Sequence, residues 1–161
     1  SMFLKEGWED KWKKGVDDSR AIGQDYIVIP WLEEPYRKPI DNFKKIAEGL
    51  NKAAVIAKSA GSTVAYHNHD FEFLDQNGQT GFDILMKETD VSMVKLELDL
   101  YWAVKAGHDP VDLIKAHPGR FAMWHIKDMD NTDKKFFTEV GNGTIDFKPI
   151  FAKAKKINRC F

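Results

Sequence analysis

The stretch "VAYHNHDFEF", residues 64–73, governs how the rest of the sequence is interpreted. It begins as an apolar run of the kind typical of a buried β-strand. The run then meets four ionisable side chains, those of His67, His69, Asp70 and Glu72. Two interpretations are open at this point. The segment is either an ordinary surface turn or a strand whose carboxyl end carries a functional site.

Short apolar runs of this kind recur along the chain and alternate with helical or loop segments. They predict five strands, at Tyr26–Ile29, Thr63–Tyr66, Met93–Leu98, Phe121–Trp124 and Phe136–Thr138. The clearest helix follows Asp41, and its apolar face comprises Phe43, Ile46, Ala47, Leu50, Ala54 and Ala57. Strands that alternate with helices indicate an α/β fold with a parallel sheet.

Further helices are predicted in the segments between and around these strands. The first 23 residues carry Trp8, Trp12 and Val16 about one helical turn apart, and Asp109-Pro110 forms a helix start with a capping carboxylate and a proline in the first turn. Weaker helical patterns follow from Phe82 to Glu88 and after Asp146, where Phe147, Ile150, Phe151 and Ala154 share a face.

The link between the fourth and fifth strands is shorter than a parallel crossover usually needs. It has about ten residues, whereas parallel neighbours are commonly joined by about a dozen or more. Periodicity alone therefore leaves two pairings open, a tight parallel crossover or an antiparallel hairpin.

Composition restricts the class of protein. The 161 residues suit a single domain over 1–161, and 43% apolar with 30% charged residues is typical of a soluble globular protein. A net charge of −1 argues against nonspecific binding to nucleic acid or to an anionic membrane surface. No apolar run approaches the roughly 20 residues that cross a bilayer.

The two ends of the chain carry little functional information. The lone Cys160 excludes an internal disulfide, and the segment from Ser1 to Lys5 lacks the apolar core of a signal peptide. Ser1 ahead of Met2 is typical of a cloning remnant, so we expect the natural N-terminus to lie upstream. The compartment stays open, with the cytoplasm slightly favoured.

Polar side chains gather where the predicted strands end. They are His67, Asn68 and His69, then Glu97 and Asp99, then His125, Lys127 and Asp128, and finally Glu139. The carboxyl ends of parallel strands are where α/β enzymes place their chemistry. Histidine and carboxylate ligands from separate strands could enclose a divalent cation, and a mixed nitrogen and oxygen set favours Mn, Co or Zn over calcium.

Each of these residues also has a structural interpretation when it is considered alone. A single histidine is more often a hydrogen-bonded structural residue, Asp99 can cap a turn, and Glu139 can mark a hairpin before Asn142-Gly143. Lys127 and Asp128 can form a solvated pair in a loop. The common placement at strand ends is what favours a site.

Four motifs, "YHNHDFEF", "LELDLYWAVKAGHDP", "WHIKDMD" and "FTEVGNGTIDF", resemble the xylose-isomerase-like TIM-barrel superfamily of sugar-phosphate isomerases and epimerases. That superfamily also contains inosose dehydratases and ketose 3-epimerases. The resemblance runs from about residue 20 to 157 and implies a partial (β/α)8 barrel that holds the fourth to eighth strands, all parallel. Because the first three strands are missing, we expect a homo-oligomer or an unusual dimer that completes the sheet.

The resemblance also implies a metal site. The family holds one divalent ion with Glu, Asp, His and Glu side chains, and its last three ligands match Asp99, His125 and Glu139. The first glutamate is replaced here by His67, while His69 and Glu72 lie close enough in sequence to compete. One divalent ion, Mn, Co, Zn or Mg, is therefore expected.

The implied reaction is proton transfer through a metal-stabilised enediolate on a sugar or sugar derivative. Glu139 or the region of His69 and Glu72 would move the proton, and Lys127 would stabilise negative charge. Substrate contacts are expected from Trp102 and Asp128; for Trp102, a packing role is equally open.

Three functions remain open from the sequence: a sugar isomerase or epimerase, a keto-sugar or keto-glycoside lyase or dehydratase, and an inactive, truncated carbohydrate-binding or oligomerising remnant.

Overall fold

The structure is a computed structural model that describes the backbone of residues 6–157 and the side chains of residues 6–153. Cys160, Ser1 and Met2 lie outside the described residues, as does the Ala154 side chain. The helices are α1 (Trp8–Ala21), α2 (Asn42–Ser59), α3 (Gly81–Glu88), α4 (Leu100–Lys105), α5 (Pro110–Ala116) and α6 (Phe147–Ile157). The strands are β1 (Tyr26–Ile29), β2 (Thr63–His67), β3 (Val94–Asp99), β4 (Phe121–His125), β5 (Asp128–Met129) and β6 (Phe137–Thr138).

Four parallel strands form the main sheet, in the order β1-β2-β3-β4. Sequential strands lie side by side, and each pair is joined by helical crossovers, as the alternation of strands and helices predicts. The predicted α/β fold with a parallel sheet and flanking helices is thus confirmed. Within the described residues, β1 and β4 each pair on one side only, so both are edges of this sheet.

The fifth predicted strand does not join the parallel sheet. Phe137–Thr138 pairs antiparallel with Asp128–Met129 in a separate two-stranded ribbon. The link is too short for a crossover, and Asp130 closes it instead by accepting the N–H groups of Thr132 and Phe136 at 3.1 Å each. The prediction that this strand is parallel, which rested on the family resemblance, is therefore wrong. An antiparallel hairpin forms, as periodicity allowed, but its partner is Asp128–Met129 and not the fourth strand.

Two helices cover one part of the sheet. The predicted apolar face of α2 is buried, with Phe43 and Leu50 fully so, and it packs with Val64 and Tyr66 of β2. The predicted stripe of α1 is also buried, and Trp12 Nε1 donates to the Ala53 carbonyl at 2.9 Å. None of the helices in the described part of the chain is long and apolar enough to cross a bilayer.

A second apolar cluster supports the other end of the sheet. It joins β3 and β4 to the helices that follow them, through Leu96, Leu98, Ile114, Phe121 and Ile150. With both clusters in place, the carboxyl ends of β2, β3 and β4 are held at the same rim of the sheet.

Gly81 provides a test of the packing between α2 and α3. A Cβ at this position would overlap the ring of Phe43, which is fully buried. We expect Gly81→Ala to lower the free energy of unfolding by about 1–3 kcal/mol, the usual range for overpacking, as measured by urea denaturation.

Gly15→Ala is the matched control. Gly15 lies on the exposed face of α1 with no atom near its would-be Cβ, so the same change should stabilise by about 0.5–1 kcal/mol. If Gly81→Ala were as stabilising as Gly15→Ala, the described contact between Gly81 and Phe43 would be wrong.

Candidate metal centre

Three side chains converge at the carboxyl rim of the sheet, one from each of three adjacent strands. His67 ends β2, Asp99 ends β3 and His125 ends β4. One ligand atom from each residue lies within 4.8 Å of the others. The strand register produces this, because Asp99 pairs directly with His125 and His67 pairs with Glu97, two residues before Asp99 on the same face.

Asp99 is held by its backbone and by one of its two carboxylate oxygens. Its N–H donates to Asn68 Oδ1 at 3.0 Å, and its Oδ1 accepts the Trp102 N–H at 3.0 Å as the N-cap of α4. The residue is completely buried. Oδ2 is the oxygen that is left without a hydrogen bond.

Asp99 Oδ2 is surrounded by nitrogen atoms. His67 Nε2 lies 3.4 Å away, His125 Nδ1 3.7 Å away and Lys127 Nζ 2.8 Å away. The lysine is close enough to form an ion pair with Asp99, but no donor meets Oδ2 with the geometry of a hydrogen bond. A buried carboxylate oxygen without a hydrogen bond, flanked by two imidazoles, fits the ligand set of a small divalent cation.

Glu97 orients the first histidine. His67 Nδ1 lies 2.7 Å from Glu97 Oε2, a separation that assigns the Nδ1 proton to this hydrogen bond. The other ring nitrogen, Nε2, then presents its lone pair toward Asp99, as metal-bound histidines do. The sequence placed Glu97 at a strand end without giving it a role, although its spacing of two from Asp99 puts both on one face of β3.

His125 is the exposed member of the group, with 45% of its side chain accessible. Its ring lies 5.0 Å from that of His67. Partial burial lowers the pKa of His125, against the opposing effect of the Asp99 carboxylate, while Lys127 and His67 lower it further. A neutral imidazole is the form that can coordinate a metal.

His69 and Glu72 lie next to the group formed by His67, Asp99 and His125, and they are hydrogen-bonded to each other. Glu72 is fully buried and accepts the Tyr66 hydroxyl and the His69 backbone N–H, both at 2.7 Å. Neither belongs to the three-residue group, so the geometry favours His67 over both as the first ligand. With both carboxylate oxygens engaged, Glu72 fixes the turn that carries His69.

The His69 ring occupies an aromatic niche. It lies 4.7 Å from the ring of Trp31, 5.4 Å from that of Trp102 and 4.8 Å from that of His67. Burial, and then the neighbouring His67 and Lys127, lower the pKa of His69 to about 3, and its Nδ1 is buried without a hydrogen-bond partner. His69 is therefore a neutral imidazole at neutral pH. Trp31, which sequence reasoning missed, directly follows Pro30 at the end of β1 and is half exposed.

The hairpin beyond β4 holds the other predicted residues. Asp128 is buried, and its carboxylate accepts four backbone N–H groups, those of Met129, Gly141, Gly143 and Ile145, at 2.8–3.0 Å. Burial alone would raise the pKa of Asp128, but these donors hold it below its ordinary value. In this structure Asp128 holds the loop, and its predicted substrate contact stays a prediction.

Glu139 lies on the exposed side of that hairpin. Its carboxylate accepts the Thr138 hydroxyl at 2.9 Å, and it is not in the group formed by His67, Asp99 and His125. The structure thus brings three of the four predicted ligands together. A ligand or catalytic role for Glu139 stays a prediction.

Glu72 gives a pH signature of the buried turn. Burial raises its pKa to about 7, against the opposing hydrogen bonds from Tyr66 and His69. A carboxyl group whose pKa is higher in the folded than in the unfolded protein destabilises the fold as it ionises. This loss of folding stability should therefore increase from pH 4.5 to 7 and reach about 3 kcal/mol.

The measurement compares the free energy of unfolding of the wild type with that of Glu72→Gln across this range. The free energy of unfolding of the wild type, relative to that of the variant, should decrease as pH rises to about 7 and then stay constant. Glu48→Gln is the control, because Glu48 is exposed and Lys52 lowers its pKa. If the difference in unfolding free energy between the wild type and Glu72→Gln did not change from pH 4.5 to 7, the pKa of Glu72 would not be raised by burial.

Comparison with known proteins places this chain in a family. The family model described as "Xylose isomerase-like TIM barrel" matches residues 5–160. An inosose dehydratase of Clostridium perfringens is 30% identical over 144 residues, which cover 80% of this chain and 48% of that protein. The chain thus spans about half the length of the curated relatives it matches.

Solved structures agree on the fold. The crystal structure of a sugar phosphate isomerase/epimerase from Parabacteroides distasonis superposes with a TM-score of 0.80 at 33% identity, over 92% of this chain and 52% of that one. The IOLI protein, solved with a bound zinc atom, gives a TM-score of 0.72 at 19% identity, over 94% of this chain and 56% of that one. The expected resemblance is confirmed, and the fold is that of part of the barrel. The chain belongs to the xylose isomerase-like TIM barrel family.

Proposed function

We propose that this chain carries the metal centre of an enzyme that removes the C–H proton next to the carbonyl group of a keto sugar or ketocyclitol. The observation that carries the proposal is the buried Asp99 Oδ2, which lacks a hydrogen bond and lies beside His67 Nε2 and His125 Nδ1. Loss of an α-proton is the step that isomerisation, epimerisation and dehydration of such substrates share.

His67, Asp99 and His125 would hold one divalent ion. Two imidazoles and one carboxylate suit Zn, Mn or Co better than Mg or Ca, which prefer oxygen ligands throughout. The bound zinc of the IOLI protein is in keeping with this choice. When bound, such an ion supplies Lewis acidity toward two neighbouring substrate oxygens and stabilises negative charge at the carbonyl oxygen.

His69 is the best-placed proton acceptor among the described residues. Its Nδ1 has no hydrogen-bond partner in the protein, and its ring lies 4.8 Å from that of His67. Glu72, whose oxygens are both engaged, positions His69 by accepting its backbone N–H. We therefore assign proton transfer to His69 and a positioning role to Glu72, where the sequence left Glu139 or the region of His69 and Glu72 open.

Two tryptophans could bind the apolar face of the substrate ring. Trp31 and Trp102 both lie close to His69, with ring centroids 4.7 and 5.4 Å from that of its imidazole. Trp31 is half exposed at the rim of the sheet. An exposed indole next to a polar centre provides a flat surface on which the C–H face of a sugar can pack.

Which product forms after proton removal depends on what leaves next. Return of a proton to the other face or to the adjacent carbon gives an epimerase or isomerase, and loss of a β-hydroxyl as water gives a dehydratase. The similarity to an inosose dehydratase across 80% of this chain supports dehydration as the second candidate. The two are separated by incubating ketoses and inosose in D2O. Deuterium at the α-carbon with the substrate otherwise intact indicates the first, and net loss of water indicates the second.

The activity is proposed for a closed site, which the four-stranded sheet alone does not form. β1 and β4 are edges of the described sheet, and unpaired edges favour further pairing. Additional strands of a longer chain would complete the barrel, and so would a second copy. We keep the homo-oligomer as the proposal for this chain, to be measured by light scattering.

Asp99→Asn tests the metal centre directly. Asparagine keeps the N-cap of α4 but removes the charge, so the fold should persist while bound metal falls from one per chain to near zero. Any α-proton exchange should fall by at least about 100-fold, since Lewis-acid stabilisation contributes several kcal/mol. Metal content is measured by mass spectrometry after loading and desalting.

Asp109→Asn is the matched control. Asp109 is also a helix N-cap, that of α5, and its side chain accepts the Val111 N–H. This change should leave the metal content unaltered. Equal metal content in Asp99→Asn and in the wild type would overturn the proposed centre.

Glu97→Gln tests the orientation of His67. Glutamine keeps the size of the side chain but weakens the hydrogen bond that fixes the Nδ1 proton. Metal affinity, measured by competition with a chromogenic chelator, should fall by about 10–100-fold. Glu48→Gln, on the exposed face of α2, should leave it unchanged, and an unaltered affinity in Glu97→Gln would argue that His67 is not a ligand.

A further inference from the structure

Lys127 approaches the same carboxylate oxygen that the proposed metal ion would use. It follows β4 by two residues, and its Nζ lies 2.8 Å from Asp99 Oδ2. About a quarter of the lysine side chain is accessible, whereas Asp99 is completely buried. The two histidine nitrogens of the group lie farther from that oxygen, at 3.4 and 3.7 Å.

We propose that Lys127 is the resident cation of this centre, which neutralises Asp99 when no metal is present and moves away when a divalent ion binds. The inference rests on the proposed function, because it assumes that Asp99 is a metal ligand. It adds a competition between a side chain of the protein and the metal for one oxygen atom.

The competition follows from how few acceptor sites Asp99 has. Its Oδ1 accepts the Trp102 N–H, whereas Oδ2 has no hydrogen bond and faces the two histidine nitrogens, so Oδ2 is the oxygen placed to bind a metal ion. An ammonium group and a divalent cation at the same oxygen would repel each other strongly in this buried setting. A buried carboxylate without a compensating positive charge is unfavourable, so Lys127 should stay paired with Asp99 until a metal ion binds.

Three aromatic rings lie around the Lys127 ammonium group and would still be near it after a small displacement from Asp99. The rings of Tyr101, Trp102 and Phe137 have centroids 5.7, 5.6 and 6.0 Å from Nζ. These rings can stabilise a cation through their faces, and the flexible lysine stem allows the displacement. Phe137 is largely exposed, so a displacement toward its ring would carry the ammonium group to the open side of the three ligands. From there the ammonium would face a substrate held at the metal.

The experiment measures the affinity of the purified chain for Mn²⁺ by titration calorimetry. Lys127→Met removes the competing charge but keeps most of the stem, and it should bind Mn²⁺ at least about tenfold more tightly than the wild type. Lys127→Arg keeps the charge and should not tighten binding. Without metal, Lys127→Met should unfold at a lower temperature than the wild type, and Mn²⁺ should raise its melting temperature by more.

Lys105→Met is the matched control. Lys105 contacts the same aromatic group, with Nζ 5.0 Å from the Trp102 ring centroid, but it donates to the Tyr101 hydroxyl and not to Asp99. Its removal should leave Mn²⁺ affinity unchanged. If Lys127→Met does not fold, Lys127→Gln keeps a neutral donor toward Asp99 and should still bind Mn²⁺ more tightly than the wild type.

The outcomes separate this inference from the function on which it rests. Equal or weaker Mn²⁺ binding in the neutral variants, with wild-type binding that is lost in Asp99→Asn, would overturn the role of Lys127 and leave the metal centre standing. Absence of Mn²⁺ binding in the wild type and in both neutral variants would overturn both. Tightening in Lys105→Met as well as in Lys127→Met would show a general charge effect and also overturn the proposal.

Discussion

The buried carboxylate of Asp99 is the constraint on which the site depends. A completely buried charge is costly unless cations and hydrogen-bond donors surround it. The protein supplies Asn68 and Trp102 for the backbone and for Oδ1, and leaves Oδ2 facing two imidazoles and an ammonium group. The surrounding sheet is built so that these groups meet around one oxygen atom.

The parallel sheet brings the two histidines and Asp99 together directly at the ends of its strands. Parallel neighbours in register end at the same rim, so a residue at the end of one strand faces a residue at the end of the next. The direct pairing of Asp99 with His125 is an example. Around these ligands, the Glu97 carboxylate forms a hydrogen bond with the His67 ring. The Glu72 carboxylate accepts the His69 N–H and so fixes the turn that carries His69. Two structural carboxylates thereby position two functional histidines.

Much of this could be predicted from the sequence because it depends on local pattern. Apolar periodicity located the four parallel strands and the buried face of α2. The strand ends indicated nine polar residues, and the family resemblance selected His67, Asp99 and His125 among them. The error at Phe137–Thr138 arose where a family expectation was preferred to the length of the link. The roles of Glu97 and Trp31 depend on side-chain contacts between segments distant in sequence, which no local pattern reports.

The central claim is that His67 and His125 bind one divalent ion together with Asp99. X-ray absorption spectroscopy of the zinc-loaded protein tests it most directly, because imidazole rings give a distinctive multiple-scattering pattern. We predict two imidazole nitrogens at about 2.0–2.1 Å from zinc, with oxygen ligands completing the shell. A spectrum that fits oxygen ligands alone, with no imidazole scattering, would contradict the account.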